Sequence, residues 1–238
     1  MCTVTVINTA KAGGDVGYRL VENRDEQHDR ARSEPPIWRP LETGRAIWPT
    51  DPVGGGTWIA AAETGLALAI LNRNLEPMPD LPGDLLSRGT IIPTLIGSAD
   101  VESVVDGVSE MDLARFAPFR LLAVDMAGED ASLPRIVVLE WDLRDLIIET
   151  HLDGPVCLAS SGLGDSVVEP RVPLFESMVV EPGLRVERQD AFHAHEWADR
   201  PEVSVMMRRA DARTVSVTTV EYHPGRAEPV VMEYREIE

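Results

Sequence analysis

The chain has 238 residues, 44% of them hydrophobic but only 5% aromatic, enough for one sizeable core built mainly from Val, Leu, Ile and Ala. Its net charge of −18, from 40 acidic against 22 basic residues, argues against nucleic acid or an anionic membrane surface as a partner, because phosphate contacts need a basic face. Two cysteines, Cys2 and Cys157, form no disulfide framework, and the most apolar stretch, Trp58 to Leu71, is interrupted by Glu63 and Gly65 and too short to span a bilayer; a cytoplasmic protein without a membrane partner is expected.

In chain order, Val4 to Ile7 and Tyr18 to Asn23 read as strands flanking a Gly13-Gly14-Asp15 hairpin loop. A crossing from Ser33 to Pro52 with five prolines follows, and Gly54-Gly55-Gly56 reads as a tight turn, since no Lys-Ser/Thr helix start follows it. Thr57 to Ala62 and Leu66 to Asn72 form a second hairpin. Asp84 to Glu110 reads as helix in two pieces, with apolar spacing at Val101, Val104, Val105 and Val108 and a cap at Ser98 or Asp100. Strands are expected at 119–125, 135–141, 156–159, 204–208, 214–222 and 229–234, and a helix at 171–180. Strands grouped on either side of helices, without regular βαβ alternation, give an α+β class with two antiparallel sheets and covering helices, in a single domain over residues 1–238.

Cys2 is the residue on which a function turns. Removal of Met1 would put a thiol and a free α-amine on one residue at the head of a strand. The amine, with a reference pKa of about 7.7–8.0, can accept the proton of a thiol of about 8.5, directly or through one water. Read alone, Cys2 is a small hydrophobe near a terminus. His193-Ala194-His195 would set two imidazoles on one face of a strand, but two ligands make no site, and no metal is expected. Ser160-Ser161-Gly162 is no nucleophile elbow.

Met1-Cys2, Asn23-Arg24-Asp25-Glu26 after the first hairpin, Gly55-Gly56-Thr57-Trp58 before a hairpin ending at Asn72, and Ser87-Arg88-Gly89 beyond it resemble the NRDE family, the transport and Golgi organisation protein 2 family. Its members are similar to N-terminal nucleophile hydrolases, which have a four-layer αββα sandwich and act on non-peptide amides. The resemblance implies that Cys2 is the nucleophile and that Asp25 orients its amine. Asn72 would supply an oxyanion donor, and Arg213, in Ala212-Arg213-Thr214, a cation near the thiolate or an anionic substrate group. As plain residues, Asp25 is also turn chemistry, Asn72 a polar strand end and Arg213 a solvated surface arginine.

Two positions depart from the family pattern. The superfamily's arginine three residues before the aspartate is Glu22 here, leaving Arg24 or Arg19 as the local cation, and alternation along a strand sets Arg24 and Asp25 on opposite sides. Asp165, in Ser161-Gly162-Leu163-Gly164-Asp165, stands where the family carries an asparagine, and an ionised carboxylate accepts hydrogen bonds but cannot donate to an oxyanion. Asn23, Arg24, Arg19 and Asp165 are thus expected around a binding pocket. The expected activity is amide hydrolysis without a cofactor on a small amide or acyl-type ligand. The alternative is a non-catalytic carrier of haem or a lipid-like acyl metabolite on the same fold, with Cys2 as a thiolate ligand to the iron.

Overall fold

The computed structural model describes residues 2–126, 133–152 and 154–237. Met1, on which the expected N-terminal processing turns, lies outside the described residues.

The first hairpin forms the centre of a five-stranded sheet. β1 (Cys2–Asn8) pairs on one side with β2 (Tyr18–Gln27) and on the other with β10 (Val156–Ser160), while β11 (Ala212–Tyr222) and β12 (Val230–Glu236) extend the sheet beyond β2, all antiparallel. The second sheet is a seven-stranded meander in sequence order: β3 (Glu34–Pro40), β4 (Arg45–Thr50), β5 (Ile59–Ala62), β6 (Ala67–Asn72), β7 (Phe119–Asp125), β8 (Arg135–Trp141) and β9 (Leu146–Leu152). Helices α1 (Ile91–Leu95) and α2 (Val101–Ser109) cover the meander, and α3 (Arg171–Phe175), continued by a π-helical turn at Glu176–Val180, and α4 (Val186–His193) cover the five-stranded sheet. The result is the expected αββα sandwich. No helix among the described residues is long and apolar enough to cross a membrane.

Strand alternation explains the layering. On β1, Val4 and Val6 enter the cluster between the sheets with Leu20, Leu68, Leu122 and Val220. Ile7, on the opposite face, packs instead with Phe175, Val179 and Phe192 of the helical layer. Each such aliphatic side chain removed from water contributes about 1.5–3 kcal/mol. Helix α2 starts where expected: Asp100 accepts from the Ser103 N–H at 2.9 Å, and Val101, Val104 and Val108 face the core.

Four segments differ from expectation. The proline-rich crossing is a hairpin, β3–β4, and Pro35, Pro36 and Pro40 are tolerated because β3 is the edge of the sheet and needs no second row of donors. Leu146–Leu152 is the opposite edge strand, masked in the sequence by mixed exposure. Val186–His193 is helical although its apolar pattern is weak, because Phe192 is its one buried apolar anchor and its other buried contacts are polar ones through Gln189 and His193. Residues 204–208 run as irregular chain with one bridge residue at Arg208.

Two motif glycines meet at the rim of the sandwich. A Cβ on Gly56 would lie 2.3 Å from the carbonyl carbon and oxygen of Gly89, and Thr57 N–H donates to that same carbonyl at 3.0 Å. Only a residue without a side chain permits this approach of two backbones. Gly56→Ala is expected to lower stability by about 1–3 kcal/mol, read as a lower denaturant midpoint at unchanged m-value; an unchanged midpoint contradicts the packing described.

Candidate active site

Register sets the site. Cys2 at the head of β1 lies opposite Arg24 on β2 and Ser160 on β10. Cys2, Arg24, Asp25 and Asn72, together with Trp58, Arg88 and the Gly56 and Gly89 backbones, line one cavity of about 320 Å³. Asn72 reaches it from the other sheet, as the exposed last residue of β6. Three residues expected to work together are therefore brought to one cavity from two sheets.

Arg24 and Asp25 both border the cavity, but their side chains leave on opposite faces. Arg24 points between the sheets, its guanidinium 4.3 Å from the Trp58 ring centroid and donating to Glu26 at 3.1 Å and Ser33 at 3.3 Å. Asp25 turns to the helical side, where its Oδ1 accepts from the Thr214 hydroxyl at 2.5 Å and its Oδ2 lies 3.8 Å from Arg171. A register shift in β11 between Thr214 and Ser216, opposite Asp25 and Arg24, is a bulge at the rim of the site, a common device for re-aiming side chains there.

Other expected site residues are structural. Asn23 is fully buried under the helices: its amide donates to the carbonyls of His193 and Val205, both at 2.9 Å, and its oxygen meets His193 Nδ1 at 2.8 Å. Arg19 ties β2 to α4 through Gln189 at 2.9 Å and Asp190 at 2.6 Å, and to Glu221 at 3.0 Å. Both lie on the odd-numbered face of β2, away from the cavity. Asp165 accepts from Asn74 N–H at 3.1 Å, Asn74 Nδ2 at 3.0 Å, Arg120 at 3.0 Å and Ser161 N–H at 3.0 Å. It is a clasp that holds the chain leaving β6, just beyond Asn72, to the chain leaving β10, and it does not line the Cys2 cavity.

Arg213 borders a neighbouring cavity of about 280 Å³ with Arg32 and Tyr234 rather than the Cys2 cavity. The cation beside Asp25 is Arg171, whose side chain is fully buried and donates to Thr3 Oγ1 at 2.6 Å and to the Val203 carbonyl at 3.0 Å. His193 and His195 share no strand: the first ends α4, the second lies beyond it with its ring edge-on to Trp197. Among the described residues no group of three or more His, Cys, Asp or Glu side chains is arranged to hold a metal.

Residues 1–142 match the family model described as Transport and Golgi organisation 2. The chain belongs to the Transport and Golgi organisation 2 family. Its fold is that of N-terminal nucleophile hydrolases. It is similar to the Caenorhabditis elegans N-acylethanolamine-hydrolyzing acid amidase ortholog, with a TM-score of 0.60 at 12% identity, covering 96% of this chain and 95% of that one. It is also similar to a cysteine-to-alanine mutant of conjugated bile acid hydrolase from Clostridium perfringens, with a TM-score of 0.53 at 11% identity over 100% and 92% of the two chains. An arginine-to-leucine variant of the latter matches at 0.53 and 10% identity over 99% and 92%. No curated protein matches the chain.

In this member of the Transport and Golgi organisation 2 family burial governs the electrostatics of Cys2 and its neighbours. Loss of water pushes the Cys2 thiol up to about 12. Burial likewise raises Asp25, against the opposing pull of Arg171. Glu22, on the same face of β2 as Arg24, is wholly buried, and burial drives its carboxyl well above the usual range.

Sequence reasoning missed three residues that the structure makes prominent. Arg171 carried no signal beyond its place after Pro170 at a helix start. Trp58 and Arg88 were visible only as motif letters. Arg88 lines the cavity and donates to the Pro118 carbonyl at 2.8 Å, whereas Arg24 and Arg30 on the same cavity are paired with Glu26 and Asp51.

The raised Glu22 carboxyl has a consequence for stability. At a pH between its unfolded value of about 4.3 and its folded one, the native state holds a proton that the unfolded chain has released. Stability from this group is therefore present in acid and falls as pH rises through that window. Glu22→Gln removes the titration, so its melting temperature is expected to exceed that of the wild type at pH 7 to 8, with the gain shrinking towards pH 4. A gain independent of pH, or a loss at pH 7, contradicts a protonated Glu22.

Proposed function

We propose that this chain is an N-terminal nucleophile amidohydrolase that cleaves a non-peptide linear amide through a thioester on Cys2. The observation that supports it most is the convergence of Cys2, Asp25 and Asn72 on one cavity in a fold shared with proteins named as an N-acylethanolamine-hydrolyzing acid amidase and a conjugated bile acid hydrolase.

Removal of Met1 frees the Cys2 α-amine. A thiol held near 12 is almost wholly protonated at neutral pH, so it needs a base at contact distance, and an amine on its own residue provides one. The S–H proton passes to the amine, the sulfur attacks the carbonyl carbon, and the ammonium then protonates the departing amine. Water, deprotonated by the regenerated amine, releases the acid from the thioester. Asp25, fixed by Thr214 and Arg171, holds the amine. The Asn72 side-chain amide donates to the oxyanion, a contact worth about 2.7–4 kcal/mol.

A carrier on the same fold needs neither a free amine nor an oxyanion donor, which separates the readings. Intact mass is expected to show Met1 absent from active protein, and a panel of N-acyl amides is expected to be turned over by the wild type but not by Cys2→Ala. Asn72→Ala is expected to lower kcat by about 10²–10³ with little change in KM. Activity in protein that retains Met1, or undiminished turnover by Cys2→Ala, contradicts the mechanism.

A further inference from the structure

Glu22 is a buried ionisable group that the mechanism above leaves unused. Its residue is 0% exposed, and neither carboxyl oxygen has a well-formed hydrogen bond. It pairs in register with Val4, one pleat beyond the Cys2–Arg24 pair, so its side chain shares the inter-sheet face with both. Cys2 and Glu22 are diagonal neighbours across the β1–β2 pair, a separation that a long side chain can span. The residues of β11 on the same face, Ser216 opposite Arg24 and Thr218 opposite Glu22, are also buried, and their hydroxyls have no hydrogen-bond partner among the described residues. No ion pair within 4 Å involves Glu22 among the described residues, although Arg24 lies two positions along the strand.

An ionised carboxylate buried without an ion-pair partner is costly; a neutral carboxylic acid costs far less, and it carries one O–H donor. The Cys2 sulfur, diagonal to Glu22 on the same face, is the acceptor on that face that becomes anionic in the reaction proposed above. Resting on the reading of Cys2 as nucleophile, we propose that Glu22 is held as a neutral carboxylic acid that donates a hydrogen bond to the Cys2 sulfur as it becomes anionic. The thiol loses its proton to the α-amine, breaking S–H and forming N–H. Glu22 keeps its own proton throughout, and its O–H turns from a neutral sulfur to a thiolate. It is a donor to the nucleophile, not the base.

Among the described residues, the charged and titratable groups acting on Glu22 are Arg24 and Asp25 on its own strand and Cys2 on β1; Ser216 and Thr218, facing it from β11, do not titrate in this range. The assignment thus makes a sharp distinction between two replacements. Glutamine keeps a neutral donor of the same length, while leucine keeps the volume and removes the donor.

The test is the pH dependence of iodoacetamide labelling at Cys2, followed by peptide mass spectrometry so that Cys157 is counted separately, in full-length protein lacking Met1. Glu22→Gln is expected to label within about twofold of the wild-type rate at pH 7. Glu22→Leu is expected to label about tenfold more slowly there, with its profile displaced about one unit to higher pH. A tenfold or greater loss in Glu22→Gln makes Glu22 a proton acceptor and overturns the proposal, as does a Glu22→Leu profile that coincides with the wild type. Should Glu22→Leu fail to fold, Glu22→Met, which also lacks the donor, is measured in its place with the same two outcomes. Because labelling requires no substrate, a protein that turns over no amide but shows these profiles would lose the amidohydrolase reading and keep this one.

Discussion

The antiparallel register of β1 on β2, with Cys2 opposite Arg24, is the constraint on which the rest of the site depends. A slip of one residue would turn every side chain of β1 to the other face. Cys2 would then point into the helical layer, and Ile7, now packed against Phe175 and Phe192, would face the opposite sheet. Hydrophobic burial on both sides of β1 therefore places the sulfur, and no separate device is needed to aim it at the cavity.

The two faces of β2 do different work. The face between the sheets carries Tyr18, Leu20, Glu22 and Arg24, passing from apolar core to polar cavity along four alternate residues. The other face carries Arg19, Asn23 and Asp25, each tied by hydrogen bonds or an ion pair to the helical layer, β11 or the chain leading into it. Buried ionic groups contribute little net stability, but removing one partner of such a pair is strongly destabilising. The Arg171–Asp25 contact accordingly gives Asp25 a single arrangement at the edge of the cavity. Asp165 does the same for Asn72 from the other side, by clasping the chain just beyond it to the exit of β10.

Much of this was legible in the amino-acid sequence, and the misses have physical causes. Alternation and turn chemistry gave the two hairpins and the later strands apart from 204–208 and Leu146–Leu152, and an N-cap aspartate with i, i+3, i+4 valines gave α2. The edge strand β3 was hidden by its prolines, which a central strand would not accept. Cys2 stood out by its own chemistry, a thiol at residue 2, whereas Asp25 and Asn72 were expected beside it because of the family resemblance, and all three line the one cavity. Arg19, Asn23 and Asp165 were expected around the pocket because sequence spacing does not say which face of a strand or loop meets it. Arg213 falls beside a neighbouring cavity, while Arg171, distant from the motif in the chain, holds the cationic place next to Asp25.

The central claim is that the α-amine of Cys2 activates a thiol which its surroundings otherwise hold protonated. The most direct measurement compares iodoacetamide labelling at Cys2 between protein that has lost Met1 and protein that retains it, across pH 5 to 10. The account predicts fast labelling near neutral pH only in the trimmed form, and a thiol close to inert below pH 9 when Met1 remains. Equal rates in the two forms would contradict it.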